Sequence, residues 1–108
     1  MRILLDHNTP APLRLFLTGH QVETAYERGW AELTNGALLR TAEESAFDVM
    51  ITTDKSIRYQ QNLTGRTLAL VVLSTNDWTQ IRRSVAAVVD AISRVTPGTL
   101  VEIKIPSF

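Results

Sequence analysis

The sequence predicts an α/β fold, a single-domain three-layer sandwich built on a mainly parallel sheet. Three observations carry that prediction. Short apolar, β-rich runs alternate with segments of helical period along the whole chain. One run, 67–73, is apolar nearly throughout, the pattern of a strand covered on both faces. The 108 residues contain neither an internal repeat nor a Gly/Pro/Ser-rich linker, so one domain spanning 1–108 accounts for them.

The elements follow in order. Residues 3–5 form a first buried strand that ends at Asp6. Thr9-Pro10 is a helix start, with Thr9 as N-cap and Pro10 at the first helical position. Leu13, Phe16 and Leu17 make its apolar stripe, and Gly19 is its stop. A second strand covers 21–25. Asn35 is the expected N-cap of the next helix, whose apolar face carries Leu38, Leu39, Ala42 and Ala46. A third strand covers 48–52, followed by the polar turn Thr53-Asp54-Lys55 and a short helix near 57–61. Strand 67–73 is the fourth. One long helix then keeps the 3.6-residue period through Trp78, Ile81, Val85, Val88, Val89, Ile92 and Val95, and Thr96-Pro97-Gly98 ends it. Val101, Ile103 and Ile105 alternate with Glu102 and Lys104, as in a half-exposed edge strand.

Composition narrows the function classes. Without cysteine there are no disulfides, zinc–thiolate sites or cysteine nucleophiles. No apolar run reaches the ~20 residues that span a bilayer, and the N-terminus has no signal-peptide profile. A cytoplasmic protein without membrane contact is expected. Eleven basic and eleven acidic residues leave no overall excess of charge for coating nucleic acid. The charge is uneven, however. Residues 1–54 carry 4 basic against 8 acidic residues, a balance of −4, and residues 55–108 carry 7 against 3, a balance of +4. Such a division can set a metal beside a phosphate clamp.

In a parallel sheet, ligands sit beyond the carboxyl ends of the strands. Asp6, Asp54 and Asp77 follow the first, third and fourth strands, so all three belong to that edge. Clustered carboxylates repel one another unless a cation lies between them, and hard Mg²⁺ or Mn²⁺ prefers such oxygen ligands. The structural alternatives are a helix cap for Asp54 and Asp77 and a turn-orienting role for Asp6. Lys55, Arg58 and Arg66 follow Asp54 with no acidic residue among them, a candidate phosphate track, and Tyr59 is a candidate base-stacking ring. His7 reads as a polar turn residue rather than a general base, and Trp30 as core, site rim or partner anchor.

Four segments carry a family resemblance. Leu-Leu-Asp6-His7-Asn8-Thr9-Pro10, Ala25-Tyr26-Glu27-Arg28-Gly29-Trp30, Leu33-Thr34-Asn35-Gly36-Ala37-Leu38-Leu39 and Val49-Met50-Ile51-Thr52-Thr53-Asp54-Lys55 occur in that order over about the first sixty residues. Together they resemble the PIN-like domain family, in particular short PIN-like proteins related to VapC-type toxin ribonucleases. The resemblance implies a PIN-like fold and a Mg²⁺- or Mn²⁺-dependent ribonuclease that hydrolyses phosphodiesters in single-stranded RNA. It also implies a role as the toxin of a toxin–antitoxin pair, with an antitoxin protein as partner. The apolar alternation of the last strand at an exposed edge separately points to a homodimer or an antitoxin complex covering it. Asp6 and Asp54 match the family's catalytic, metal-holding acidic residues. Asn35 stands where many relatives carry an aspartate, and Glu27 matches a further acidic position. Asn8, Lys55 and Arg58 fall where substrate would pass. A neutral amide at Asn35 is a poorer Mg²⁺ ligand than a carboxylate, which predicts weakened catalysis or a non-catalytic binding module. A receiver-like phosphoacceptor domain would cast Asp6, Asp54, Ser74 and Lys104 in its site. It requires an acidic pair after strand one, where this chain has Asp6-His7.

Overall fold

A computed structural model describes residues 1–57, 63 and 65–107. Five strands, β1 (Arg2–Leu5), β2 (Gln21–Thr24), β3 (Val49–Thr52), β4 (Ala69–Leu73) and β5 (Leu100–Ile103), form one sheet in the order β2-β1-β3-β4-β5. Every pair is parallel. The central strands are apolar on both faces because both faces are covered. Ile3, Leu5, Val49, Ile51, Val71 and Leu73 enter one core, while Leu4, Met50, Leu70 and Val72 alternate into the other. The first core is closed by a 3₁₀ helix (Ala11–Phe16), α2 (Trp78–Arg83) and α3 (Val85–Arg94). The second is closed by α1 (Asn35–Glu44), with Phe47 and Ile57. The α/β three-layer sandwich expected from the sequence is therefore present, with β2 and β5 as its edges.

The connections reverse direction at β1. The chain steps from β1 to β2 on one side, then crosses back through α1 to β3 on the other. Connections of one hand running in opposite directions cover opposite faces of the sheet, and the 3₁₀ helix and α1 do so. The carboxyl ends of β1 and β3 consequently splay at a topological switch point. The β4-to-β5 connection runs the same way as β2-to-β3 yet packs α2 and α3 on the face of the 3₁₀ helix, giving it the opposite hand.

Several local expectations are corrected. Thr9 is not a helix cap. Its hydroxyl is held by Asp6 and by the Ile51 carbonyl, so Pro10 takes the N-cap position and the segment closes only as a 3₁₀ helix. Phe16 lies at the surface against Trp78, with ring centroids 5.7 Å apart, and only Leu13 and Leu17 of the expected stripe are buried. Thr34, not Asn35, is the N-cap of α1. The long helix breaks at Ser84, where the Ser84 N–H reaches back three residues to Ile81 and Ala87 does the same to Ser84. Serine competes with helical bonding, and the break lets α2 lean on the 3₁₀ helix. Val89 faces solvent. The helix expected near 57–61 lies outside the described residues beyond Ile57.

Ala46 also leaves the helix face where it was expected. It adopts a φ of 63° just past the end of α1. The Phe47 N–H bonds the Ala42 carbonyl and the Ala46 N–H bonds the Glu43 carbonyl, the paired arrangement of a Schellman turn. That turn favours glycine, since a Cβ in the left-handed region costs ~1–2 kcal/mol. Ala46→Gly is expected to stabilise the fold by about 1 kcal/mol, measured by urea unfolding. A neutral or destabilising result would remove the strain assigned to Ala46.

Candidate functional site

Asp6 immediately follows β1 and is 3% exposed. Its carboxylate is anchored on both oxygens. Oδ1 accepts from the Thr9 N–H at 3.0 Å, the Thr9 hydroxyl at 2.6 Å and the Asn8 N–H at 3.3 Å, and Oδ2 accepts from the Thr52 hydroxyl. The expected repulsion between edge carboxylates is thus answered at Asp6 by hydrogen-bond donors of the chain itself.

Thr52 ends β3 and links the two acidic positions. While its hydroxyl donates to Asp6, the same oxygen accepts the Asp54 N–H at 3.1 Å. Asp54 stands half-exposed in the turn beyond. Its Oδ1 accepts from the Ser56 hydroxyl at 2.6 Å and the Ser56 N–H at 3.0 Å, and its Oδ2 accepts from the Asn35 amide at 2.7 Å. These bonds, those of Ser56 before that of Asn35, hold the Asp54 carboxyl below its ordinary value of 3.8, with nearby His7 adding a smaller effect in the same direction. Because Asn35 is the first helical residue of α1, not its cap, its side chain is turned to Asp54. The pair joins the start of α1 to the end of β3.

Two clefts meet along this edge. One, of about 490 Å³, is polar and lined by Asn8, Thr53, Asp54, Ser74, Thr75 and Asn76. The other, of about 600 Å³, is largely apolar; Asp6, His7, Pro12, Leu15 and Tyr26 are among its walls. Asn8 thus shares the polar cleft with Asp54. Glu27 lies in the wall of the apolar cleft, engaged by Arg14 and by the Thr24 N–H. Lys55 borders a third groove with Ser74, Glu102 and Lys104. Asp77 caps α2 through the Gln80 N–H at 3.3 Å. Trp30 packs edge-on against Phe47 with the Arg28 guanidinium over its ring, a core role.

Arg58 and Tyr59 lie outside the described residues. Arg66 is removed from the proposed phosphate track, because it precedes β4 at the amino edge of the sheet and faces Glu43. A Cβ on Gly98 would come within 2.7 Å of the Arg66 carbonyl, so that edge is closed by backbone against backbone. Two site residues escaped the sequence reading. Thr52 lay inside a strand pattern, and Ser56 carried no spacing signal, since its bonds arise only from the turn.

At the amino edge, Glu43 binds the Leu68 and Thr67 N–H groups at 3.2 and 2.9 Å, which lowers its pKa below 4.5. A carboxylate lowered on folding stabilises above its unfolded value and loses that contribution as pH falls through the folded one. Glu43→Gln is expected to flatten the stability–pH curve between about pH 5 and the acid limb, read by thermal melts. An unchanged acid limb would contradict the assignment.

Among the described residues, no three His, Asp or Glu side chains converge as a metal-ligand group, and no helix is long and apolar enough to cross a membrane. Comparison of the chain with protein-family models, curated proteins and solved structures finds no match.

Proposed function

We propose that this chain is a metal-dependent ribonuclease of PIN-like type, acting on single-stranded RNA at the β1/β3 edge with catalysis weakened by Asn35. One observation carries the reading. Two carboxylates end neighbouring central strands at the switch point, where a parallel sheet presents its ligand site, and the Thr52 hydroxyl couples them. The donor chemistry around Asp54 fits a hard cation, because Asn8, Thr53, Ser74, Thr75 and Asn76 offer oxygens and no sulfur. Asp54 would hold Mg²⁺ or Mn²⁺, with Asp6 acting from behind through Thr52. A cation there would activate a water and neutralise phosphoryl charge. Asp54, already ionised by its hydrogen bonds, needs no deprotonation to receive it. Lys55 lies one residue on, exposed, where it can meet a phosphate.

The strand order is one that receiver-like domains share. Right-handed connections throughout would put the β4-to-β5 helix opposite the β1-to-β2 segment, and here both lie on one face. That placement, with Asp6-His7 in place of an acidic pair, counts against the receiver-like reading. The Asn35–Asp54 hydrogen bond supports a second reading, a PIN-like binding module, because the amide fills a position where a carboxylate would serve a cation.

The test is cleavage of end-labelled single-stranded RNA by the purified protein. Slow cleavage, faster with Mn²⁺ than with Mg²⁺, and lost in Asp54→Asn, is the expected result, since Mg²⁺ demands the more regular coordination. No cleavage under either cation would transfer the assignment to the binding module. The toxin role adds a partner, either an antitoxin or a second copy, covering the alternating edge strand β5. Light scattering should then show a dimer, or copurification a complex. A strict monomer that recovers no partner from cells would remove that part.

A further inference from the structure

The apolar cleft beside Asp6 has the composition of a base-binding pocket. Its floor and walls include Ala11, Pro12 and Leu15, the last 75% exposed, with the Tyr26 ring alongside at 80% exposure. Tyr26 stands on a rigid turn. The Glu27 carboxylate accepts the Thr24 N–H at 3.0 Å, the Thr24 hydroxyl accepts the Glu27 N–H at 3.1 Å, and the Tyr26 carbonyl accepts the Gly29 N–H at 3.0 Å. An aromatic ring presented to solvent on a fixed support loses little entropy when a flat partner stacks on it.

The rim supplies hydrogen-bonding edges. Arg14 and Glu27, ion-paired with each other and both partly exposed, place a donor and an acceptor together in the wall. The cleft is also continuous with the carboxylate edge. Asp6 and His7 line it, whereas the next residue, Asn8, lines the polar cleft that holds Asp54. At about 600 Å³ it is within the ~300–1,000 Å³ range of small-ligand sites.

We propose that this cleft receives a nucleobase of single-stranded RNA, stacked on Tyr26 and edged by Arg14 and Glu27, while a neighbouring phosphate lies toward Asp54. The inference rests on the ribonuclease reading and deepens it by naming where a base is held. Phosphate binding at Asp54 alone would leave sequence unread; a base pocket one cleft away gives the site a nucleotide preference.

The test is an amide NMR titration of the full chain with 5′-AMP and 5′-GMP, using ribose 5-phosphate as the base-free control. The nucleotides are expected to shift the Leu15, Tyr26 and Glu27 amides, and ribose 5-phosphate to leave them in place. Tyr26→Ala should weaken binding by about tenfold or more, and Tyr26→Phe should retain it. Since Tyr26 is exposed, both variants should fold, and their spectra report whether they do. Equal shifts from ribose 5-phosphate, or unchanged affinity in Tyr26→Ala, would overturn the proposal. So would a cleft indifferent to nucleotides but perturbed by a copurifying protein. Mn²⁺ broadening of the amides around Asp54, followed separately, reports the metal reading. Base binding without that broadening would sustain the pocket and reject the metal.

Discussion

Asn35→Asp is expected to increase divalent-dependent cleavage of single-stranded RNA on the order of tenfold, the equivalent of ~1.4 kcal/mol in the barrier. The position is decided by geometry. The Asn35 amide already lies 2.7 Å from Asp54 Oδ2, so the substitution sets two carboxylates against one another with little change in shape. Without a cation, like charges at such a distance raise one carboxyl pKa and destabilise the fold near neutral pH by an amount on the order of 1–2 kcal/mol. The sign of the pH response follows. A raised folded pKa means that stability is recovered as pH falls through it, whereas the lowered pKa of Asp54 in the wild type means that stability is lost on acidification. Mn²⁺ should reverse the deficit by mass action. Asp at position 35 occupies the first turn of α1, where a negative charge suits the helix, so the fold should survive. If the variant shows neither a metal-dependent stability gain nor faster cleavage, Asn35 is a structural clamp on the Asp54 turn and nothing more.

The second large effect belongs to Asp6. Asp6→Ala removes the acceptor of four donors, the Asn8 and Thr9 N–H groups and the Thr9 and Thr52 hydroxyls. The Thr9 N–H keeps the Asp6 backbone carbonyl, the Thr9 hydroxyl keeps the Ile51 carbonyl and the exposed Asn8 N–H can reach water. The buried Thr52 hydroxyl is the donor left unpaired, so a total loss of about 2–4 kcal/mol is expected. That is a large share of the ~5–15 kcal/mol that holds a domain together. Thr52→Val, close to isosteric, should cost less, about 1–2 kcal/mol, because it removes only the bridge between Asp6 and the Asp54 N–H. Urea unfolding of both variants checks the order. An Asp6→Ala protein within 1 kcal/mol of wild type would show that the network carries little of the fold.

The sequence carried the architecture because each strand is a compact apolar run and each run is buried by a recognisable helix period. Strands β1, β3 and β4 needed only their alternation into two cores, and β5 its Val101–Glu102–Ile103 pattern. What escaped depended on side-chain competition. Thr9 could cap a helix or serve Asp6, and the carboxylate won because it is buried and needs donors. Ala46 read as helical because it continues the apolar face of Leu38, Leu39 and Ala42, yet the chain turns there on backbone bonding to Ala42 and Glu43. The hand of the β4-to-β5 connection is a property of how whole helices pack, and no local pattern encodes it. The position of Asp6 and Asp54 at the carboxyl edge of the sheet was legible from the parallel-sheet rule. Asn35 was placed by position but assigned the wrong local role, since cap and first-turn residues differ by one step in sequence and by a side-chain direction in space. Arg66 failed as a phosphate ligand because chain proximity to Asp54 does not survive the crossing from one sheet edge to the other.

The most direct measurement is Mn²⁺ binding by electron paramagnetic resonance to the wild type, Asp54→Asn and Glu44→Gln, the last an exposed carboxylate at the far end of α1. One Mn²⁺ is expected to bind the wild type and Glu44→Gln, with affinity reduced by about tenfold or more in Asp54→Asn. A wild-type protein that binds no Mn²⁺, or an Asp54→Asn protein that binds it as tightly, would contradict a cation site at the β1/β3 edge.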